Sequence, residues 1–88
     1  MTTGGRRYFL VERYAPAVDS SAVAASARRL NESGDSARHL CTLLVAAEEF
    51  CLSVFEAHDV AAVVALNEQA GLSMDRVVEV EWFAGSPG

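Results

Sequence analysis

The stretch from Ser36 to Ala57 limits what this chain can fold into more than any other. It holds two apolar runs, Leu40–Val45 and Phe50–Phe55, separated by a short segment that ends in Glu48 and Glu49. Each run has strand rather than helix length and polar residues at its borders. A connection this short forces antiparallel pairing, so the stretch reads as a β-hairpin at the centre of a small sheet. With Glu48-Glu49 as the turn, Ala47 faces Phe50, Val45 faces Leu52, Leu43 faces Val54 and Cys41 faces Glu56. Leu40, Leu44, Cys51, Ser53 and Phe55 then occupy the other face. Glu-Glu supplies neither the Gly nor the Asn that a two-residue hairpin turn prefers, and a longer loop is the alternative. Both faces are apolar, which predicts that both are covered.

The flanking segments complete the order. Arg6–Tyr14 alternates as a strand, with Phe9 and Val11 on one side and Tyr8, Leu10, Glu12 and Tyr14 on the other. Pro16 ends it. Asp19 or Ser20 caps a helix reaching about Ser33, whose inner stripe is Val23, Ala27 and Leu30, and Gly34 stands where a closing glycine belongs. His58-Asp59 starts a second helix to about Ala70, with Val60, Val63, Val64 and Asn67 inward and Gly71 closing it. Asp75–Phe83 alternates as a last strand, with Val78, Val80 and Trp82 on one face and Val77, Glu79, Glu81 and Phe83 on the other.

The order β-α-β-β-α-β predicts a ferredoxin-like α+β sandwich, a four-stranded antiparallel sheet with two helices on one face. Residues 1–5 read as a flexible lead, 6–84 as the domain and 85–88 as a flexible tail. Right-handed crossovers set strands 1 and 3 side by side in the centre, a pair taken here to run parallel, with strand 4 beside 1 and strand 2 beside 3. The uncovered face would carry Tyr8, Leu10, Val45, Leu52 and Val54, and a patch of that kind predicts a homodimer.

A chain of 88 residues makes one domain and buries only about 60–65% of its unfolded surface, so a partner adds stability. The net charge of −5 argues against nucleic acid and anionic membranes. No apolar run approaches the ~20 residues of a membrane span, and no apolar segment of signal-peptide kind follows the start. All seven basic residues are Arg, a composition that fits a GC-rich bacterial genome. Cys41 and Cys51 fall on opposite faces, roughly 17 Å apart along the strands, too far for a disulfide. Free, poorly reactive thiols in the cytoplasm are expected.

No phosphate loop, CxxC, HExxH or GxSxG pattern is present. If strands 1 and 3 are parallel, Glu12 and Glu56 end at one rim, where strand 2 starts with His39. Two carboxylates and an imidazole there make a candidate site for nickel or another divalent metal. The competing reading pairs Glu12, Glu56 and Asp75 with Arg13, Arg38 and Arg76 as ion pairs closing the sheet end. His58 reads as an exposed residue at a helix start.

Tyr8-Phe9-Leu10-Val11-Glu12-Arg13, Phe55-Glu56-Ala57, Asn67-Glu68-Gln69-Ala70-Gly71-Leu72 and Asp75-Arg76-Val77 together resemble a bacterial family of small ferredoxin-like proteins, the nickel-binding-protein-like domain of unknown function. The resemblance implies an α+β sandwich that dimerises and, in one type, binds nickel through histidines at the end of the first strand. Glu12 and Arg13 stand at those positions, and Arg cannot ligate a cation. The expectation is a small cytosolic, non-enzymatic binding protein with a divalent metal as candidate ligand. The alternatives are a dimeric α+β barrel enzyme for an apolar small molecule, with Tyr8 or Trp82 lining its pocket, and a protein-interaction module.

Overall fold

A computed structural model describes residues 7–16, 19–32, 36–81 and 83. The elements are β1 (Arg7–Tyr14), α1 (Ser20–Glu32), β2 (Ala37–Val45), a 3-10 turn (Ala46–Glu48), β3 (Phe50–Ala57), α2 (Val60–Gln69) and β4 (Arg76–Val80). The expected lead and tail, Arg6, Gly34 and Trp82 lie outside the described residues. The strand order is β2-β3-β1-β4, and every neighbouring pair is antiparallel. The fold is the ferredoxin-like α+β sandwich.

One expectation is corrected. β1 and β3 are neighbours but run in opposite directions. The crossover through α1 returns β2 parallel to β1, and the hairpin then reverses β3. In this order the central pair is therefore antiparallel, and the ends of β1 and β3 lie at opposite rims.

The hairpin register also differs from the two-residue form. Val45 faces Phe50 and Leu43 faces Leu52, with residues 46–49 between the strands. Glu49 supplies the left-handed residue of this longer loop, at φ 56°. The shift is two residues, and side chains alternate with period 2, so the faces survive it. A bulge between His39 and Cys41 then changes the alternation toward the start of β2. Cys41 still faces Val54 on the open side, but His39 faces Phe55 on the helix side.

The core lies between the sheet and both helices. Phe9, Val11 and Phe55 from the central strands meet Leu30 of α1 and Val63 and Leu66 of α2. Asp59 opens α2 by accepting a hydrogen bond from the Ala62 amide at 3.0 Å, and Asp19 does the same for Ala22 at 2.9 Å. Gly71, at φ 75°, follows α2 in the conformation that suits glycine. The inner face of α2 is Val63, Leu66 and Asn67, whereas Val60 is 44% exposed. At the other end of the connection, the Asp75 carboxylate accepts from the Tyr14 amide and the Asp75 amide donates to the Glu12 carbonyl at 2.8 Å. That exchange fixes the entry of β4 beside the end of β1.

Candidate functional site

The three residues expected to hold a metal are not brought together. Glu12 is opposite Leu52 on β3, while Glu56 is opposite Tyr8 on β1. Both point to the open face, four residues apart along β1, or about 13 Å. His39 is on the other face because of the bulge. Among the described residues no group of three or more His, Cys, Asp or Glu side chains is placed to hold a metal ion.

The two glutamates instead take arginines. Arg76 Nη1 donates to Glu12 Oε2 at 3.0 Å, and Arg38 lies 3.6 Å from Glu56 Oε1. These pairs are equivalent by the fold. Half a turn about the sheet normal exchanges β1 with β3 and β4 with β2, and it carries Glu12–Arg76 onto Glu56–Arg38. Between them the open face is apolar, with Leu10, Leu43, Leu52, Val54, Val78 and Val80 in register, all half-buried except Leu43, which is 57% exposed. A third pair, Arg7 with Glu79, lies across the β1–β4 edge, with both its hydrogen bonds at 3.0 Å. The Arg7 hydrogen bond holds the Glu79 carboxyl below its ordinary pKa. The competing ion-pair reading thus holds for Glu12 and Glu56, at opposite rims rather than one, while the Asp75 carboxylate takes the Tyr14 amide and Arg13 joins no carboxylate among the described residues.

The helix side carries a polar chain. His39 Nδ1 is 2.8 Å from Asn31 Oδ1 on α1, and His39 Nε2 is 2.7 Å from Thr42 Oγ1. Thr42 Oγ1 is 2.8 Å from Ser53 Oγ on β3. The bulge makes this possible, since it sets His39 and Thr42, three residues apart, on one face. With Asn31 accepting, the ring proton sits on Nδ1, Thr42 donates to Nε2 and Ser53 donates to Thr42. The His39 ring also packs on Phe55, with centroids 5.5 Å apart. Burial lowers the His39 pKa below its ordinary value, a backbone hydrogen bond with Cys41 partly offsets this, and the Arg13 charge lowers it further.

Arg13 shares this side. It faces Cys51 across the β1–β3 ladder and is only 7% exposed. Its Nη1 is buried without a hydrogen-bond partner, and so is Asn67 Oδ1, although Asn67 Nδ2 donates to the Val63 carbonyl at 2.9 Å. Each such atom costs about 1–3 kcal/mol, more where charge is involved. The polar members of this face had a signal in the sequence: Thr42 and Ser53 interrupt apolar runs, and alternation places Arg13 with Phe9 and Val11.

Both cysteines are free, Cys51 buried on the helix side and Cys41 half-buried on the open side. His58 is exposed, and its carbonyl accepts from Arg7 Nη1 at 2.9 Å. No described helix is long and apolar enough to cross a membrane.

No family model matches the chain, and no curated protein matches it. A solved structure does: SCO4226 from Streptomyces coelicolor, with a TM-score of 0.78 over 88% of this chain and 99% of that one, at 16% identity. At that identity the likeness speaks for the fold.

Proposed function

We propose that the chain is a small, non-enzymatic binding protein that works as a homodimer joined through the open face of its sheet. The observation that carries this reading is the uncovered apolar centre of that face, around Leu10, Leu52, Val54 and Val78. A contiguous apolar patch with a polar rim is the usual mark of an association surface. The two equivalent Glu–Arg pairs suit a second copy as the partner. Each pair is neutral in itself, so apposing two such faces brings no uncompensated charge into the interface. An apolar face of this size also supplies the burial that a domain of 88 residues lacks alone. A metal has no part in the reading, because Glu12, His39 and Glu56 lie apart and two of them are engaged by arginines.

Sedimentation at micromolar concentration tests it. The expected species has twice the 9.4 kDa mass of the chain, and Val54→Arg returns it to the monomer with its helical content intact. A 9.4 kDa species across the micromolar range would reject the dimer.

A further inference from the structure

Arg13 is a charged group that the fold has buried without a counter-charge among the described residues. Arg7, Arg38 and Arg76 each meet a carboxylate, and Arg29 donates to the Ala70 carbonyl at 3.1 Å. Arg13 has no such partner among the described residues, and its Nη1 is sealed from solvent. A guanidinium does not relieve this by losing its proton. Removing a charge from water without pairing it is strongly unfavourable. Glu12 offers no remedy, because it points to the other face and is held by Arg76, and the Asp75 carboxylate accepts from the Tyr14 amide.

On the helix side Arg13 faces Cys51 and follows the buried Val11, and a polar group lies one row further along the sheet. The Ser53–Thr42 hydroxyl pair lies in the adjoining row of the sheet, toward β2, and His39 beyond it is close enough for the Arg13 charge to disfavour its imidazolium. Arg13 stands one residue from the end of β1.

We propose that this enclave is a binding site for a small monocarboxylate, held by the Arg13 guanidinium and by the Ser53 hydroxyl. A planar carboxylate matches the guanidinium fork. One negative charge cancels one buried cation, with His39 neutral, whereas a dianion such as phosphate leaves an excess charge in the same place. The hydroxyl chain can serve the anion by reversing. In the direction described above, every hydroxyl hydrogen is committed toward His39. If the exposed Asn31 amide turns so that its Nδ2 donates to Nδ1, the ring proton moves to Nε2. Thr42 then donates to Ser53, and the Ser53 hydrogen is released toward the carboxylate. Anion binding is thereby coupled to the His39 tautomer. The site is on the opposite side of the sheet from the proposed dimer face, so the two readings fail separately.

The test is titration of the full chain with sodium acetate against sodium chloride at equal ionic strength and neutral pH, with sodium phosphate as a third arm. Thermal midpoints and heteronuclear NMR of the arginine and histidine side chains are followed. The expected result is a saturable acetate effect on the Arg13 Nε–H resonance, a shift of His39 from its Nδ1–H to its Nε2–H form, and a weaker response to phosphate. In Arg13→Met the acetate affinity falls by more than about tenfold. Acetate indistinguishable from chloride in the unaltered chain, or an equal saturable response in Arg13→Met, would overturn the proposal. Should Arg13→Met fail to fold, the Arg13 resonance of the unaltered chain decides alone: no change through the titration rejects the site.

Discussion

Glu12 and Glu56 share a face of the sheet but not an end of it, because Glu12 is paired with Leu52 and Glu56 with Tyr8. Each has its own arginine. A metal ligand set containing both would have to span about four residues of strand, or ~13 Å, several times the reach of first-row ligand bonds of about 2 Å. Nickel titration of the protein is therefore expected to be insensitive to His39→Ala and to Glu12→Gln. Calorimetric binding that disappears in both variants would contradict the observed placement.

Much of the fold was legible in the chain. Alternation in Tyr8–Tyr14, the caps at Asp19 and Asp59, and Gly71 all act within a few residues, and the structure keeps them. The faces of the hairpin survived a wrong turn length because the error was two residues. What failed was non-local. The direction of β3 relative to β1 follows from topology rather than from any residue type. The bulge before Cys41 has no Gly to announce it, yet that single extra residue moves His39 from the open face to the helices. A site argued from strand ends therefore dissolved, while Thr42 and Ser53, which the sequence reading counted only as strand residues, belong to the group that does assemble.

The inner face of α2 offers a sharper check on packing. Val60 was expected inside and is 44% exposed, whereas Leu66 is buried to 2%. Leu66→Ala is expected to cost about 2–5 kcal/mol in urea unfolding, from lost burial and the cavity left behind. Val60→Ala should stay within about 0.5 kcal/mol, as at other surface positions. Equal costs would mean that α2 is rotated from its observed orientation.

The start of the same helix rests on one side chain. Asp59 satisfies the Ala62 amide from an extended N-cap conformation. Asp59→Ala removes that acceptor and should lower stability by about 1 kcal/mol, with Asp59→Asn or Asp59→Ser largely restoring it. Chemical denaturation of the three variants decides this, and a neutral Asp59→Ala would show that the cap contributes nothing.

His39 predicts a pH dependence with a definite sign. Its folded pKa lies below the ordinary 6.5, chiefly through burial. The unfolded chain therefore takes up this proton at a higher pH than the folded one. The stabilising effect of a neutral His39 is full above 6.5 and is lost as the pH falls from there through the folded value. Urea midpoints are expected to drop across that interval in the unaltered protein and to drop less in His39→Gln, whose carboxamide cannot charge. A His39→Gln profile superimposable on that of the unaltered chain would remove His39 as the origin.

The two thiols report on the two faces of the sheet. Cys51 is 2% exposed on the helix side and should react with a disulfide reagent only as fast as the protein unfolds. Cys41 lies opposite Val54 on the open side and is half-buried in the single chain, so it should react first. Both thiols are free, and the expectation that they are poorly reactive is sharpened to one inert thiol and one conditional on assembly. Association through the open face covers Cys41 and leaves Cys51 as it was. The rate of Cys41 modification is then expected to fall as protein concentration rises through the dimer range, and to become independent of concentration in Val54→Arg. A rate independent of concentration in the unaltered protein, while sedimentation shows a dimer, would place the dimer contact elsewhere than on this face.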